Sequence, residues 1–596
     1  MEENGEKKGL RVSKGALLFL GFALVVSLVL HLQRERDAEE SEERIGVLEG
    51  LPALPKKEVL SAPLARALGE AYELLGDAGN EARALEELSL LYQANGFSER
   101  ARSCFELLLA LEPKEKRWAL HLAALSADFS DPSDELSYRR LALELGARSA
   151  KEQLALAGAL AKGGKHEEAE LVLDEVISMG EGRRDAWMEK ASLALRKEDF
   201  AGAAERLEQA KAIDPDYAPI YELLIEAYGG MADVRKLEAK YRLGRLPERW
   251  HRIADPVDES LREYCLDPLR LLHLGVGLGK TGSFGAAVGL LERALEFEPA
   301  LGEARLELGA LYRMSGDVDK SIEVLMDAMN RGVKEERLFI ELAESYAESK
   351  AALEGLATVR LGLDAFPLSS SLYRIAGGLH ESEGMREEAI LSYAKAIEID
   401  ASDSVAIRNL GLIKLKEKSP LGVDLLERRL RYVPEDLDTR LALGDYFLKR
   451  GEIDEVPKYL EEALLYDPEN PVARMQLAKA YARQGTLLAS QGEAGKAIDR
   501  LNQALLVDAD VAEVHEQLGM LQEHLEKRGL AIEHYSRYVE LMPEDSGGYL
   551  KLGRVLIAEG ERERAKQALM AGRGVALGKG LHVVVHEFDS LLDVVE

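Results

Sequence analysis

One position of this sequence recurs every 34 residues and mostly holds a small or short branched side chain. Its fourteen members, here called the downstream column, are Ala101, Glu135, Ala169, Ala203, Leu237, Ala287, Ser321, Gly355, Ala389, Val423, Val456, Ala497, Ala531 and Ala565. A second position, the upstream column, lies twelve residues earlier in most copies. Its small members are Ala157, Ala191, Gly275, Gly309, Ala343, Gly377, Gly411, Gly444, Ala478, Gly519 and Gly553. Because small side chains allow close approach, the two columns predict two closely packed helices in every unit.

The residues between and after the columns predict where each helix ends. In one copy, Gly316 can adopt the positive φ that ends a helix, and Asp317 can cap the next helix. Twelve residues after the downstream column comes a recurrent proline, which lacks an amide donor and stops a helix. These prolines are Pro113, Pro215, Pro299, Pro367, Pro468 and Pro543. Each unit is therefore predicted to be a helix, a turn, a second helix and a stop.

This pattern resembles the tetratricopeptide repeat, which has the same 34-residue length and the same small-residue, tyrosine and proline positions. Residues 306–312 carry the family's L-G-x-x-Y motif, and Trp187 stands at the family's tryptophan position. The resemblance implies an all-α fold, a right-handed superhelical solenoid of about 14 helix-turn-helix repeats. In such a fold each repeat contacts only its neighbours, and the array offers an extended binding surface.

The repeat count sets the boundaries that we expect. The array includes an insertion of sixteen residues at about 247–266, an insertion of seven residues near 486–491, and a deletion of one residue before Val456. The expected segments are 1–14 for a short tail, 15–32 for a transmembrane anchor, 33–60 for a charged linker, 61–81 for a degenerate repeat or N-terminal cap, 82–579 for the repeats and 580–596 for a C-terminal cap. A partner-binding tail is the alternative for the last segment, which is strongly apolar.

An uncharged stretch near the N-terminus predicts a membrane span. Residues 15–32 hold no charged side chain. As a helix rising about 1.5 Å per residue they would reach about 27 Å, close to the thickness of a bilayer core. A cleaved signal peptide is the alternative, but no small-x-small cleavage site follows. Four basic residues precede the span and slightly favour an N-terminus in the cytoplasm, with the repeats on the periplasmic side. In this layout the chain resembles membrane-anchored bacterial proteins of the repeat family.

The two insertions predict different things. Seven residues lengthen a first helix by almost two turns, which preserves its facing. The sixteen-residue insertion, with Trp250, His251 and Cys265, interrupts the stack with ring-bearing and charged side chains. Insertions in repeat proteins often lie on a functional face. The simpler interpretation, and the one we expect, is a tolerated surface loop.

Charge and motifs argue against several function classes. The formal net charge is −30, and so acidic a chain is repelled by phosphate backbones, so no nucleic-acid partner is expected. Cys104 and Cys265 form no disulfide or zinc pattern. Residues 275–281 lack the first glycine of a phosphate-binding loop, and His582 and His586 lack a third zinc ligand. We therefore expect no enzyme activity, cofactor, metal or small-molecule substrate.

In the resembled family, the first helix of each pair lines a concave groove, and positions around the upstream column point into it. In the C-terminal half these positions carry basic residues, here called the basic row: Arg374, Arg408, Lys416, Lys449, Lys479, Arg483 and Arg554. Such a row in an acidic chain attracts acidic or C-terminal protein segments, and arginine binds carboxylates with two parallel bonds. Asn409 lacks the second asparagine of the carboxylate clamp that some family members have.

The expected function is that of a membrane-anchored protein–protein interaction scaffold, which assembles or localises a membrane-associated complex. The alternative is a regulatory or substrate-docking subunit of an envelope glycan or polysaccharide synthesis system, with catalysis on another chain. A solenoid fold is compatible with both functions, because the side chains on its surface, and not the fold, decide what it binds.

Overall fold

The computed structural model describes residues 50–56, 59–75, 79–129, 131–246 and 257–595. These residues form 30 α-helices and no β-strand. They divide into two compact units by their contacts. Unit 1 comprises the described residues of Met1–Leu193, Ala212–Asp214 and Arg249–Ser315, and unit 2 comprises those of Ala194–Lys211, Pro215–Glu248 and Gly316–Glu596.

In chain order the helices are α1 (Ala62–Leu74), α2 (Glu81–Ala94), α3 (Ser98–Leu111), α4 (Lys116–Asp128), α5 (Pro132–Glu144), α6 (Ala150–Lys162), α7 (His166–Met179), α8 (Arg183–Arg196), α9 (Phe200–Ile213), α10 (Ala218–Gly230), α11 (Arg235–Leu243), α12 (Pro268–Lys280), α13 (Phe284–Phe297), α14 (Gly302–Met314), α15 (Val318–Asn330), α16 (Glu336–Glu348), α17 (Ala352–Ala365), α18 (Ser370–Ser382), α19 (Arg386–Ile399), α20 (Ser404–Lys416), α21 (Pro420–Tyr432), α22 (Leu437–Arg450), α23 (Val456–Tyr466), α24 (Pro471–Ser490), α25 (Ala494–Val507), α26 (Ala512–His524), α27 (Arg528–Leu541), α28 (Ser546–Glu559), α29 (Arg562–Gly578) and α30 (His582–Val595).

Helices α2 to α29 alternate as first and second helices of consecutive pairs. The upstream column falls on the first helices and the downstream column on the second helices. Within the described residues there are fourteen such pairs, with α1 before them and α30 after them. The predicted all-α array of helix-turn-helix repeats is therefore confirmed.

The predicted helix ends are largely as the sequence indicated. Gly316 has a φ of +87°, as its place between two helices requires. Pro299 lies two residues beyond Phe297, the last residue of α13, and the other five predicted prolines also lie two residues beyond a second helix. The predicted side-chain cap by Asp317 is wrong. Asp317 precedes α15 but makes no cap hydrogen bond, because its carboxylate instead pairs with Lys320 at 2.7 Å.

The upstream glycines make room for a large side chain of the paired second helix. A Cβ added to Gly377 would lie 2.6 Å from the ring of Tyr393, and one added to Gly444 would lie 2.6 Å from Leu460 Cδ2. In both pairs the large residue follows the glycine by sixteen positions. The same spacing and contact join Gly275 to Leu291, Gly485 to Leu501, Gly519 to Tyr535 and Gly553 to Leu569. Interiors are close-packed, so at these glycines the pairing leaves no space for a larger residue.

The seven-residue insertion lengthens α24 to 20 residues, as predicted. Ala478 lies 34 residues after Gly444 and continues the count of the preceding repeats. Gly485 lies twelve residues before Ala497 and contacts the second helix α25. Seven residues make almost two helical turns, so both positions lie on one face of α24. Both are buried, which keeps the repeats before and after the insertion in register.

The two ends of the chain differ in what the structure describes. At the C-terminal end, α30 packs on the last pair, where Phe588 is fully buried and Val585 is 8% exposed. The predicted tail and anchor, together with residues 33–49 of the predicted linker, lie outside the described residues. Among the residues that the structure does describe, no helix is both long and apolar enough to cross a bilayer.

The described part of the sixteen-residue insertion is not a surface loop. Val257 is 5% exposed and Cys265 is fully buried. Val257 packs with Ala119 and Ala147 of the N-terminal repeats. The surface-loop interpretation is therefore wrong for residues 257–266, because apolar side chains at every fourth position face those repeats. Residues 247–256 lie outside the described residues.

We expect Gly377→Ala to destabilise the α18–α19 pair by about 1–3 kcal/mol, because the added methyl group overlaps the Tyr393 ring. Gly378→Ala is the matched control. Its Cβ would lie 3.7 Å from Tyr393 Oη, and alanine favours a helix over glycine by about 0.5–1 kcal/mol. Native-state hydrogen exchange of the two helices measures both changes. Equal protection in the two variants would contradict the packing role of Gly377, and loss of protection along the whole chain would contradict nearest-neighbour coupling.

Candidate protein-binding surface

The basic row lies on first helices of unit 2. From α16 to α26 consecutive first helices contact each other, as α16 and α18 do and as α22 and α24 do, so they form one continuous face, and α28 is the next first helix of the unit. We call it the first-helix face of unit 2. Its basic residues are Arg374 on α18, Arg408 and Lys416 on α20, Lys449 on α22, Lys479 and Arg483 on α24, and Arg554 on α28.

Two arginines of the row connect successive first helices. Arg374 lies 3.8 Å from Glu344 of α16 and 3.7 Å from Asp403, the residue before α20. Arg408 repeats this arrangement one helix later, with its Nε 3.7 Å from Asp436 before α22. These guanidinium groups therefore have carboxylate neighbours within the chain. A partner's carboxylate would have to compete with them.

Asp436 shows how firmly such a carboxylate is held. Its Oδ2 accepts a hydrogen bond from Arg429 Nε at 2.8 Å, and its Oδ1 accepts one from the Thr439 amide at 3.1 Å. Burial alone would raise the pKa of Asp436, but the bonds from Arg429 and Thr439 lower it overall. Asp436 thus stabilises the fold above the pKa of an unfolded aspartate, and this stability is lost as the pH falls. We assign Asp436 to the repeat structure rather than to a ligand site.

Three other members of the row also bond within unit 2. Lys449 pairs with Asp445 at 2.7 Å, and Arg554 pairs with Glu587 of α30. Arg483 Nη1 donates to a main-chain carbonyl of α22 at 3.1 Å. The two ion pairs are exposed and contribute little to stability, but each lowers the positive charge that Lys449 or Arg554 offers to a partner.

Lys416 and Lys479 differ from the other five members. Both side chains are exposed. Within the described residues of the chain, neither ammonium group has a carboxylate within 4.0 Å. They are the members of the row that offer the most accessible positive charge.

Lys479 belongs to an exposed stripe along α24, the longest helix among those described. Met475, Lys479, Arg483 and Leu487 follow each other at four-residue spacing and are all exposed. We call these four residues the α24 stripe. Met475 is 41% exposed and Leu487 is 49% exposed, so the stripe carries apolar as well as basic side chains. Such a stripe can bind an amphipathic segment that bears acidic side chains.

The sequence reasoning found the two basic members of the stripe but missed the two apolar ones. The signal that could have found Met475 and Leu487 is their spacing of four and eight residues from the two basic residues, which places them on the same helix face.

Asn409 is used within the repeats. Its Nδ2 donates to Tyr393 Oη at 3.2 Å, and that hydroxyl also donates to Glu381 Oε2 at 3.3 Å. Asn409 therefore connects α20 to the preceding second helix.

The other motifs singled out in the sequence lie in ordinary helices. Gly275 and Gly279 are inside α12, where an added Cβ would lie 2.9 Å from Leu291 and 2.7 Å from Leu311, respectively. His582 and His586 are exposed on α30. In the part of the chain that the structure describes, no group of three or more His, Cys, Asp or Glu residues could hold a metal ion.

Comparisons with curated proteins find partial relatives. Protein O-mannosyl-transferase Tmtc3 of Drosophila melanogaster is 28% identical over 189 residues, which are 30% of this chain and 20% of that protein. Anaphase-promoting complex subunit 3 of Schizosaccharomyces pombe (strain 972 / ATCC 24843) is 21% identical over 196 residues, which are 33% of this chain and 28% of that protein. The chain thus spans less than a third of the length of either relative.

Among solved structures, yeast Tom70 matches at 16% identity over 75% of this chain and 97% of that chain, with a TM-score of 0.30. The APC/C hetero-tetramer Cut9-Hcn1 matches at 16% identity over 82% of this chain and 98% of that chain, with a TM-score of 0.27.

Family profiles match three stretches of the chain. Residues 154–218, 370–403 and 441–490 each match a profile described as tetratricopeptide repeat. These matches lie within the paired helices whose spacing and close contacts are described above. In these three stretches the chain is similar to tetratricopeptide repeats, in agreement with its paired helices.

Proposed function

We propose that this protein is a membrane-anchored scaffold, which binds other proteins through its first helices and so assembles or localises a membrane-associated complex. The observation that carries the proposal is the α24 stripe, an exposed row of apolar and basic side chains on the first-helix face of unit 2. The family matches support protein binding as the general role. The uncharged residues 15–32 support the membrane attachment.

The α24 stripe also indicates the chemistry of the partner. Lys479 and Arg483 favour acidic side chains, and Met475 and Leu487 favour apolar ones. The stripe extends over about three turns of α24. A partner helix with acidic and apolar side chains on one face would match it over that length. The partner that we propose is therefore an acidic, amphipathic protein segment.

One relative supports the assembly role, and another supports a second candidate function. Anaphase-promoting complex subunit 3 is, by its name, part of a protein complex. Protein O-mannosyl-transferase Tmtc3 is, by its name, a glycosylating enzyme, which supports a docking subunit of a glycan-synthesis system with catalysis on another chain. Capture of the full chain from detergent-solubilised membranes, followed by mass spectrometry, discriminates the two. The second function predicts a glycan-synthesis enzyme among the captured proteins.

We expect the full chain to stay in the membrane pellet during extraction with alkaline carbonate, because residues 15–32 would span the bilayer. Protease added to intact spheroplasts should digest the repeats if they lie on the periplasmic side. Recovery of a soluble form that begins after residue 32 would contradict the anchor. Protection of the repeats in intact spheroplasts, with digestion after lysis, would place them in the cytoplasm.

We expect the double variant Lys416→Glu, Lys479→Glu to capture its partner about tenfold less well and with weaker salt dependence, because two exposed cations become anions. Both residues are exposed, so the helical circular dichroism should not change. Lys334→Glu is the matched control, since Lys334 is an exposed residue between α15 and α16. Unchanged capture and salt dependence in the double variant would show that the first-helix face of unit 2 is not the binding surface. Reversal of Arg374 or Arg408 is less informative, because it would also break bonds between repeats.

A further inference from the structure

Residues 257–267, here called the inserted segment, lie along first helices of the N-terminal repeats in unit 1. Val257, Leu261 and Cys265 follow each other at four-residue spacing. Val257 and Leu261 pack in one apolar cluster with Ala119 of α4, and Leu261 and Cys265 pack in another with Ala94 of α2. Three apolar side chains on one face therefore attach the segment to these repeats.

The main chain of the inserted segment is held by Asn95, which directly follows α2. Asn95 Oδ1 accepts hydrogen bonds from the amides of Leu266 at 2.7 Å and Asp267 at 3.0 Å. Its Nδ2 donates to the carbonyl of Tyr264 at 2.8 Å and to that of Leu91 at 2.7 Å. All four hydrogen-bonding positions of the side-chain amide are thus used. Three of the four bonds recognise peptide groups of the segment, whatever its side chains are.

A second side chain binds carbonyl groups of the inserted segment. Arg293 of α13 donates from Nη1 to Arg262 O at 2.7 Å, and from Nη2 to Glu263 O and Cys265 O at 3.1 Å each. The carbonyl of Leu266 accepts a hydrogen bond from Ser61 Oγ at 2.9 Å. Carbonyls at the end of a helical turn have no partner within the turn, and these donors satisfy them.

The ion pair of Glu259, an acidic residue of the inserted segment, contributes much less. Glu259 lies 3.9 Å from Lys151, and both side chains are largely exposed, so the pair is weak. The segment is held by main-chain hydrogen bonds together with apolar contacts at regular spacing. This combination is how proteins hold short peptide segments from other chains.

We propose that the first helices of the N-terminal repeats in unit 1 form a docking site for a short amphipathic protein segment with apolar residues at positions i, i+4 and i+8. The inserted segment occupies this site as an internal competitor. A partner segment with the same pattern displaces it. The proposal concerns unit 1 and stands whether or not the basic row of unit 2 binds a partner.

The two cysteines of the chain provide the test. Cys265 lies on the inserted segment, and Cys104 lies in the core of α3 as a matched control. Both are fully buried, and burial raises the pKa of both thiols, that of Cys104 to about 12. A thiol reagent added to the native full chain, with each site quantified by mass spectrometry, measures how often each cysteine is exposed. The competitor is a synthetic peptide of residues 257–267 that carries the substitution Cys265→Ala.

We expect Cys265 to react about tenfold faster than Cys104, because the segment opens without unfolding of α3. The peptide should raise the rate at Cys265 in proportion to one plus its concentration divided by its Kd, because it binds the vacated site. The rate at Cys104 should not change. Equal rates at the two cysteines, unaffected by peptide, would show that the segment is a permanent part of the core. A faster but peptide-insensitive Cys265 would show that the vacated site binds no segment, which also overturns the proposal.

Two controls separate the proposed docking from general loosening. The same peptide with Leu261→Asp in addition should not raise the rate at Cys265, because it lacks the central apolar residue. In the full chain, Asn95→Asp removes the donor to Tyr264 O, so the rate at Cys265 should rise without peptide while the rate at Cys104 does not. Acceleration by the Leu261→Asp peptide equal to that by the parent peptide would overturn the assigned specificity. A rise at both cysteines in Asn95→Asp would indicate general unfolding and would contradict a segment that opens separately.

Discussion

Close contact between a small residue of a first helix and a large residue sixteen positions later, in the second helix, is the interaction on which the described repeats depend. At Gly377 and Gly519 the large residue is a tyrosine, and at Gly444 it is a leucine. A second contact joins some of the pairs to the pair before them. Tyr312 Oη donates to Glu292 at 2.6 Å, and Tyr228 Oη donates to Glu208 at 2.7 Å, each to a carboxylate twenty residues earlier in the chain. Both contacts repeat because the sequence positions repeat, so stability is spread along the array.

The repeat positions could be predicted from the sequence because their contacts are local and periodic. Residues twelve, sixteen or twenty apart meet in several of the described repeats, so the same residue types recur at the same spacing. The inserted segment could not be placed in this way. Asn95 and Tyr264 are 169 residues apart, and no period connects them. Asp317 was wrongly expected to cap α15, because a lysine three residues later competes for the same carboxylate.

The basic row could be found in the sequence, but the state of its charges could not. The chain has 107 acidic and 77 basic residues, so a basic side chain on a repeat surface easily finds a carboxylate nearby. Arg374 and Arg408 do so across successive first helices. Lys416 and Lys479 remain the accessible cations of the row. The apolar residues of the α24 stripe add what charge alone lacks, since exposed apolar area binds more strongly than exposed ion pairs do.

The first helices of unit 1 and the first-helix face of unit 2 differ in whether a segment of the chain covers them. The first helices of unit 1 already hold a segment of the same chain, through the Asn95 amide and the Arg293 guanidinium group. The first-helix face of unit 2 exposes Met475 and Leu487 beside its basic residues. One scaffold would thus have a site that opens by displacement and a site that is accessible throughout. Two such sites can bind one partner at two points or two partners at once.

Cross-linking with a lysine-reactive reagent in cells, followed by mass spectrometry, tests most directly whether first helices bind the partner. The account predicts cross-links from Lys416 and Lys479 to another protein. Lys395 lies on a second helix, α19, and serves as the comparison. Cross-links to other proteins from Lys395 and similar second-helix lysines, with none from Lys416 or Lys479, would contradict the account.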